Sequence, residues 1–265
     1  MDKEILEYWQ HQASIPEKDE IDALRRVLDP YDIKGIKNSY IDLYLKHYLQ
    51  EYLQPQPSDN VLEIGCGTGR LSEYISCSVN AAYGIDITDN FIETCRSRPN
   101  KRDNSHYLSI SELEQLKHFH INKLFIVWVL MYLTDREEIL ETLRRYRDSL
   151  PVLNSAIVIE QVKNSAQTRY RAGRMDCHYR TIEDYYSIFS KAGFSVEGHV
   201  VLGERYLGPL YRLIHMMGNI LPGNLKKYSE DFFRFDRKML GHAESRKMPR
   251  FTAKPIDVVF KLEAS

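Results

Sequence analysis

The sequence predicts an α/β protein with a doubly wound, mostly parallel sheet of seven strands. The prediction rests on a regular alternation of short apolar segments with longer amphipathic segments from residue 60 onward. The apolar segments are rich in β-branched residues, as in Phe125-Ile126-Val127, which suits strands buried on both faces. With 265 residues, 43% hydrophobic content and a formal net charge of −1, the chain is unlike disordered or collagen-like proteins.

Two helices are predicted before the sheet begins. Ser14 and Glu17 have the spacing of a capping box, which predicts a helix over residues 14–30. A second helix is predicted over residues 39–53, where a Pro-Gln-Pro linker stops it. We therefore expect residues 1–57 to form an N-terminal helical cover.

The strands of the predicted sheet follow in order along the chain. They are expected over residues 60–64, 81–85, 106–110, 123–129, 155–161, 195–202 and 256–262. Capping boxes beginning at Ser111, Thr134 and Thr181 predict the starts of intervening helices. Residues 58–203 and 256–265 are thus predicted to form the core domain.

The alternation breaks once, between the sixth and seventh strands. Residues 204–255 are too many for a simple connection, so we expect an inserted helical cap with helices over 210–221 and 225–240. The cap contains 11 lysines and arginines against 5 acidic residues, although the whole chain is nearly neutral. The cap is therefore basic and the remainder acidic, and we expect the cap to meet the substrate.

A glycine-rich turn is the strongest functional signal. Gly65, Gly67 and Gly69 occupy alternate positions between an apolar strand and a helix, where glycine lets the backbone approach a ligand closely. Asp86 ends the next strand, where a carboxylate can accept hydrogen bonds from both hydroxyls of a ribose. This pattern predicts a binding site for an adenosine-like nucleoside.

Spacing and charge distinguish between two nucleoside cofactors. In the dinucleotide fingerprint G-x-G-x-x-G the third glycine comes one residue later than it does here. Glu63 precedes the turn, and a carboxylate there would repel a pyrophosphate but attract an ammonium and a sulfonium. We therefore predict S-adenosylmethionine as cofactor. An NAD-dependent oxidoreductase and a catalytically inactive cofactor-binding protein stay open as alternatives.

The segment from Glu63 to Gly69, followed by Asp86, resembles the first two motifs of the class I S-adenosylmethionine-dependent methyltransferases, of the small-molecule type. The resemblance is best over residues 61–161 and implies a Rossmann-like methyltransferase fold. It implies that the glycine loop contacts the methionine part, that Asp86 holds the ribose and that two isoleucines lie against the adenine. The cofactor-binding residues so implied are Glu63, Gly65, Cys66, Gly67, Gly69, Asp86, Ile87, Ile110, Val127 and Trp128. This chain departs from the family in having serines and Glu112 where many members carry an adenine-reading acid after the third strand.

One more cofactor contact is expected from the N-terminal cover. Tyr40, Tyr44, Tyr48 and Tyr52 recur every four residues and share one helical face, which we expect to dock on the sheet. Tyr40, at the start of that face, is the tyrosine predicted to lie beside the cofactor.

The catalytic candidates are His178 and Glu160. A hydroxyl acceptor needs a base within hydrogen-bond reach, and both residues follow or end the fifth strand. A surface role for His178 and a backbone hydrogen bond for Glu160 are the alternatives. An anionic acceptor would find candidate partners in Lys37, Arg70, Arg171, Arg174 and Arg180.

Together these observations predict O-methylation of a small or carrier-linked acceptor, such as an anionic glycan-linked or lipid-linked molecule. The four cysteines lack metal-binding spacing, so no metal is predicted and a cytoplasmic location is expected. The acidic core argues against nucleic acid as a partner. The basic and partly apolar cap predicts peripheral contact with an anionic membrane.

Overall fold

The computed structural model describes residues 3–165, 168–172, 175–202, 208–240 and 255–264. Its strands are β1 Asn60–Ile64, β2 Ala81–Asp86, β3 Ser105–Ser109, β4 Lys123–Val127, β5 Ser155–Val162, β6 Thr168–Ala172, β7 Met175–Tyr179, β8 Phe194–Val201 and β9 Ile256–Ala264. Seven of them form one sheet in the order β3-β2-β1-β4-β5-β9-β8. Strands β1 to β5 pair in parallel and β9 is antiparallel to both of its neighbours. The predicted fold class is confirmed.

The strand order reverses between β1 and β4, which lie side by side although two strands separate them in sequence. In open α/β sheets, ligands bind at the carboxyl ends of the strands at such a switch point. The glycine turn follows β1 at this point, so the topology positions the predicted site.

Helices cover both faces of the sheet. They are α1 Lys3–Ser14, α2 Glu20–Val27, α3 Ile36–Leu53, α4 Arg70–Ile75, α5 Asp89–Ser97, α6 Arg136–Asp148, α7 Ile182–Lys191, α8 Pro209–Met217 and α9 Ser229–Leu240. Apolar residues of α3 and α4 pack on one face, and those of α6, α7 and a 3-10 helix over Ile110–His118 pack on the other. No helix in the described part of the chain has the length and apolar character that crossing a bilayer requires.

The N-terminal helices differ from the prediction. Ser14 ends a helix instead of starting one, because its hydroxyl donates backwards to the His11 carbonyl (2.8 Å). The next helix begins at Glu20. Its N-cap is Asp19, whose carboxylate accepts a hydrogen bond from the Asp22 amide (2.9 Å). The helix predicted over residues 14–30 is therefore present as α2, but its predicted start is wrong, and α1 was not predicted.

Competition between neighbouring capping residues moves two other helix starts. Ser109, not Ser111, caps the 3-10 helix, and Asp135, not Thr134, caps α6. The capping box at Thr181 is confirmed at the start of α7.

A two-stranded sheet formed by β6 and β7 occupies a segment that was predicted as a loop. Cys177 and Tyr179 alternate along β7 and pack with Met131, which belongs to a 3-10 turn over Leu130–Tyr132 after β4. This small sheet therefore lies over the carboxyl end of β4, next to the switch point.

The cap packs on α3. Its first helix ends at Met217, earlier than predicted, and its second segment divides into a 3-10 helix over Gly223–Tyr228 and α9. The fully buried Asp236 of α9 accepts hydrogen bonds from the Leu210 amide (3.0 Å), the Tyr211 amide (2.8 Å) and the Tyr40 hydroxyl (3.0 Å). One carboxylate thus joins α8, α9 and α3. The limits given above for the N-terminal cover (1–57), the core domain (58–203 and 256–265) and the cap (204–255) stay a prediction.

We expect Asp236→Ala to lower the free energy of unfolding by about 3 kcal/mol, because three buried donors lose a charged acceptor. Tyr40→Phe removes only one of these bonds and should cost about 1 kcal/mol. Asp231→Ala, at an exposed position of the same helix, is the matched control. Urea unfolding of the four proteins measures the effect, and equal losses for Asp231→Ala and Asp236→Ala would contradict it.

Candidate functional site

The glycine turn adopts a conformation that strongly favours glycine. Gly65, Gly67 and Gly69 have φ angles of 73°, 51° and 72°, all in the left-handed region. A Cβ on Gly65 would lie 2.5 Å from a methyl carbon of Val129, and one on Gly67 would lie 2.8 Å from Val27. Both strain and space therefore require glycine here.

The amide groups of the turn are mostly engaged within the protein. The Gly65 and Cys66 amides donate to the Ile85 carbonyl (2.8 and 3.1 Å), and the Gly69 amide donates to the Cys66 carbonyl (2.8 Å). The Gly67 amide donates to Asp86 (2.8 Å). A dinucleotide site needs such amides free for a pyrophosphate, so this turn is poorly suited to NAD.

Asp86 connects the turn to the end of β2. One carboxylate oxygen accepts from the Gly67 amide and the other accepts from the Thr88 amide (2.9 Å). Burial raises its pKa, and these hydrogen bonds act in the opposite direction. Because a carboxylate has about four acceptor positions, Asp86 retains capacity to accept from ribose hydroxyls.

Glu63 is a buried carboxyl group in the wall of a cavity that lies beside the glycine turn. Its Oε2 accepts from the amide (2.9 Å) and the hydroxyl (2.5 Å) of Ser72. Burial nevertheless raises its pKa to about 8, against the effects of Ser72 and of the nearby Arg70. A cationic ligand would favour the ionised form of Glu63 and so displace its proton.

Arg70 supplies the opposite charge in the same cavity. Its guanidinium pairs with Asp42 of α3 (2.5 Å), and Lys46 pairs with the other oxygen of Asp42 (2.6 Å). A buried acid and a positioned cation beside one glycine turn match the ammonium and carboxylate of an amino acid. The residues present therefore fit the methionine part of S-adenosylmethionine.

The cavity has a volume of about 310 Å³. Nine of the predicted cofactor-binding residues lie in its wall, namely Glu63, Gly65, Cys66, Gly67, Asp86, Ile87, Ile110, Val127 and Trp128. Gly69 does not line the cavity and is the N-cap residue of α4. Tyr40 is outside the cavity, since it packs against Tyr211 and Phe233 of the cap and donates to Asp236. The structure thus gives Tyr40 a role in joining the cap to α3.

His178 does not face the cavity. Cys177 and Tyr179 turn inward from β7 and pack on the turn after β4. Successive side chains on a strand point to opposite sides, so the half-buried His178 turns away from that turn. The expected position of a base over the acceptor is not supported.

One carboxyl oxygen of Glu160 is bonded to the backbone. It is fully buried, and its Oε1 accepts from the Val129 amide (2.8 Å) and the Leu130 amide (2.6 Å). Burial raises its pKa to about 7 despite these bonds. Glu160 therefore holds the turn after β4, which agrees with the alternative considered for it.

The basic residues predicted for an anionic acceptor are dispersed. Arg70 lies in the cavity wall, whereas Lys37 pairs with Asp29 (2.6 Å). Arg180 is buried and donates to the Leu130 and Leu133 carbonyls (3.1 and 2.6 Å). The side chain of Arg171 and the whole of Arg174 lie outside the described residues.

Several cavity residues were missed at the sequence level. Trp9 of α1 packs edge-on against Tyr132 of the 3-10 turn, with ring centroids 5.3 Å apart, and both line the cavity with Val27. Tyr146 of α6 lines its opposite part. Ile5, Trp9 and Ala13 recur every four residues, and this helical spacing is the signal in the sequence that indicates α1.

Trp128 has an unusual backbone. Its φ of 55° is left-handed, which is rare for a bulky residue and typical of functional sites. Its amide donates to the Ile159 carbonyl (2.9 Å) and its indole N–H donates to Asp257 of β9 (3.1 Å). These bonds hold the indole in the cavity wall.

Comparisons with known proteins agree with this geometry. A sequence model described as "Methyltransferase domain" matches residues 62–147. The crystal structure of a geranyl diphosphate C-methyltransferase from Streptomyces coelicolor superposes with a TM-score of 0.59 at 12% identity, covering 100% of this chain and 98% of that one. The chain carries a methyltransferase domain of the class I fold. The match over residues 62–147 agrees with the family that the sequence motifs indicate, and the superposition shows that the whole chain has the same fold as that methyltransferase.

Sequence relatives of the methyltransferase domain match it over short stretches. The malonyl-[acyl-carrier protein] O-methyltransferase of Haemophilus influenzae is 30% identical over 83 residues, 31% of this chain and 32% of that protein. A probable cobalt-precorrin-6B C(15)-methyltransferase (decarboxylating) of Archaeoglobus fulgidus is 35% identical over 74 residues, 28% of this chain and 44% of that protein. The chain thus spans less than half the length of these relatives, whose acceptors differ.

The raised pKa of Glu63 predicts a pH-dependent stability effect. The folded state keeps the Glu63 proton up to pH about 8, whereas the unfolded chain releases it near 4.5, so this group lowers stability as pH rises between these values. Glu63→Gln can still accept from Ser72 but cannot ionise. We expect its stability advantage over the parent to be larger at pH 8 than at pH 5 by about 3 kcal/mol.

Thermal and urea unfolding between pH 5 and pH 9 measure this difference. Glu141→Gln, at an exposed position of α6, controls for loss of one negative charge from the protein. A stability difference for Glu63→Gln that is the same at pH 5 and pH 8 would show that Glu63 is ionised throughout.

Proposed function

We propose that this protein is an S-adenosylmethionine-dependent methyltransferase that binds its cofactor along the carboxyl ends of β1 and β2. The observation that carries the proposal is that Glu63 and Arg70 both line the cavity beside a glycine turn whose amides are mostly engaged already. This arrangement suits a zwitterionic amino-acid group and disfavours a pyrophosphate.

Each part of the cofactor has candidate partners in this chain. Glu63 and Arg70 would bind the ammonium and carboxylate of the methionine part, and Asp86 would accept from the ribose hydroxyls. Ile87 and Ile110 would lie against the adenine, since both line the cavity beyond Asp86. When bound, the sulfonium supplies an activated methyl group. The protein then has to orient the acceptor and exclude water.

The acceptor side of the cavity is aromatic. Trp9, Trp128 and Tyr132 line it, and burial keeps the Tyr132 phenol protonated by raising its pKa well above the usual value. These rings would position an acceptor against the methyl group and shield it from water. An acceptor with an apolar portion suits such a wall better than a fully polar one.

We propose that the acceptor atom is an oxygen that is ionised before it binds, such as a carboxylate of a small, glycan-linked or lipid-linked molecule. The positions of the two bases expected from the sequence support this choice, because neither His178 nor Glu160 is among the described residues that line the cavity. An ionised oxygen needs no base. One relative of the domain is named as an O-methyltransferase.

We also propose that the protein acts in the cytoplasm, in contact with an anionic membrane.

Cofactor binding tests the first proposal. We expect S-adenosylmethionine and S-adenosylhomocysteine, but not NAD, to bind in calorimetric titrations at pH 7. Binding should release a proton from Glu63, which is visible as a dependence of the heat on the buffer's ionisation enthalpy and should vanish in Glu63→Gln.

Asp86→Ala should weaken cofactor binding at least about a hundredfold, because two hydrogen bonds to a charged acceptor are lost. Asp103→Ala, in an exposed turn, is the matched control. Binding of NAD alone would instead support the oxidoreductase alternative.

Acceptor chemistry is tested with a matched pair of long-chain acceptors. With labelled S-adenosylmethionine, we expect a fatty acid to be methylated at least about tenfold faster than the corresponding fatty alcohol. Trp9→Ala should lower kcat/KM for the acid without changing cofactor affinity. Preference for the alcohol would contradict the ionised-oxygen proposal, and binding without transfer to any extract component would favour the inactive-binder alternative.

A further inference from the structure

Apolar side chains form an exposed surface at one side of the cap. Tyr31 and Ile33, between α2 and α3, are 64% and 67% exposed, and Met216 and Ile220, in and just after α8, are 73% and 74% exposed. Large apolar residues clustered on a surface mark an interaction site more often than scattered ones do. We call this surface the apolar platform; it comprises Tyr31, Ile33, Leu213, Met216, Met217 and Ile220.

The platform is built from two segments that are far apart in sequence and bonded together. The Asn219 side chain donates to the Tyr31 carbonyl (2.9 Å) and accepts from the Ile33 amide (3.2 Å). Lys34 donates to the Leu221 carbonyl (2.6 Å). Three hydrogen bonds thus fix the two segments edge to edge, so the apolar side chains are presented by a rigid support.

Basic side chains flank the platform. In the described part of the cap, residues 208–240, there are six lysines and arginines against three acidic residues. Asp29, next to Tyr31 in the chain, is paired with Lys37 (2.6 Å), and Asp32 is buried. Lys34 lies within the first segment of the platform, and the exposed Arg212 lies one residue before Leu213 in α8. Apolar side chains with flanking basic residues are the combination that binds an anionic lipid surface.

A row of aromatic rings extends from the cavity wall along α1. Tyr8 packs edge-on against Trp9 (ring centroids 5.2 Å apart), and Trp9 packs against Tyr132 in the cavity wall. The chain runs from α1 through α2 to Tyr31 and Ile33, so the same N-terminal segment supplies part of the cavity wall and part of the platform.

We propose that the apolar platform docks the protein on an anionic phospholipid bilayer, from which a lipid-borne acceptor reaches the cavity. The entry of an acceptor rests on the proposed methyltransferase function, whereas the docking itself does not. A second copy of the chain is a poorer occupant, because a two-fold contact would place two basic caps face to face.

Vesicle binding tests the platform in the absence of cofactor. The full chain is mixed with vesicles of phosphatidylcholine alone or with phosphatidylglycerol, and bound protein is measured by co-sedimentation at increasing salt. We expect binding to the anionic vesicles only, weakening as salt screens the charge. The double variant Ile33→Ser, Ile220→Ser should bind at least about tenfold more weakly.

Val152→Ser is the matched control, because Val152 is an exposed apolar residue in the turn between α6 and β5. Both variants are expected to keep the parent's unfolding temperature and cofactor affinity, which separates docking from the proposed function. The proposal is overturned by absence of binding to anionic vesicles, or by equal losses in the two variants. A concentration-dependent dimer that the double variant abolishes would overturn it in favour of a second copy.

Discussion

The hydrogen bond from the Gly67 amide to Asp86 is the interaction on which the site depends. It joins the turn after β1 to the end of β2 and holds the turn in left-handed conformations that only glycine adopts readily. It also removes one amide from those that a pyrophosphate would need. The same bond therefore determines the shape of the turn, the position of the ribose acceptor and the class of cofactor that fits.

Burial of charge at this turn has a chemical consequence. Glu63 lies where desolvation opposes its ionisation, and two bonds from Ser72 together with Arg70 are insufficient to restore an ordinary pKa. Such a group favours a ligand that brings its own positive charge into the cavity. Arg70, held by Asp42 from α3, provides the complementary partner for a ligand carboxylate. The preference for a zwitterionic ligand thus depends on residues of β1, α4 and α3.

The cofactor half of the site was predictable because its residues are close in sequence and follow local rules. A strand, a glycine turn and the acid at the next strand's end lie within residues 60–86. The acceptor half was not, since Trp9, Val27 and Tyr132 meet only through tertiary packing. Tyr40 illustrates the limit: its helical periodicity was correct, but Asp236, nearly two hundred residues away, determines where its hydroxyl bonds. The predicted starts of two helices were wrong because a second possible capping residue lies one or two positions away.

The cofactor half and the acceptor half of the site are held by different elements of the fold. Trp128 keeps a left-handed backbone because β5 binds its amide and Asp257 of β9 binds its indole, whereas the glycine turn depends on β2. Trp9 enters the wall from α1, an element outside the sheet. Changes in α1, β9 or the turn after β4 can therefore reshape the aromatic wall while the bonds of the glycine turn remain in place. A fold organised in this way can keep one cofactor and accommodate different acceptors.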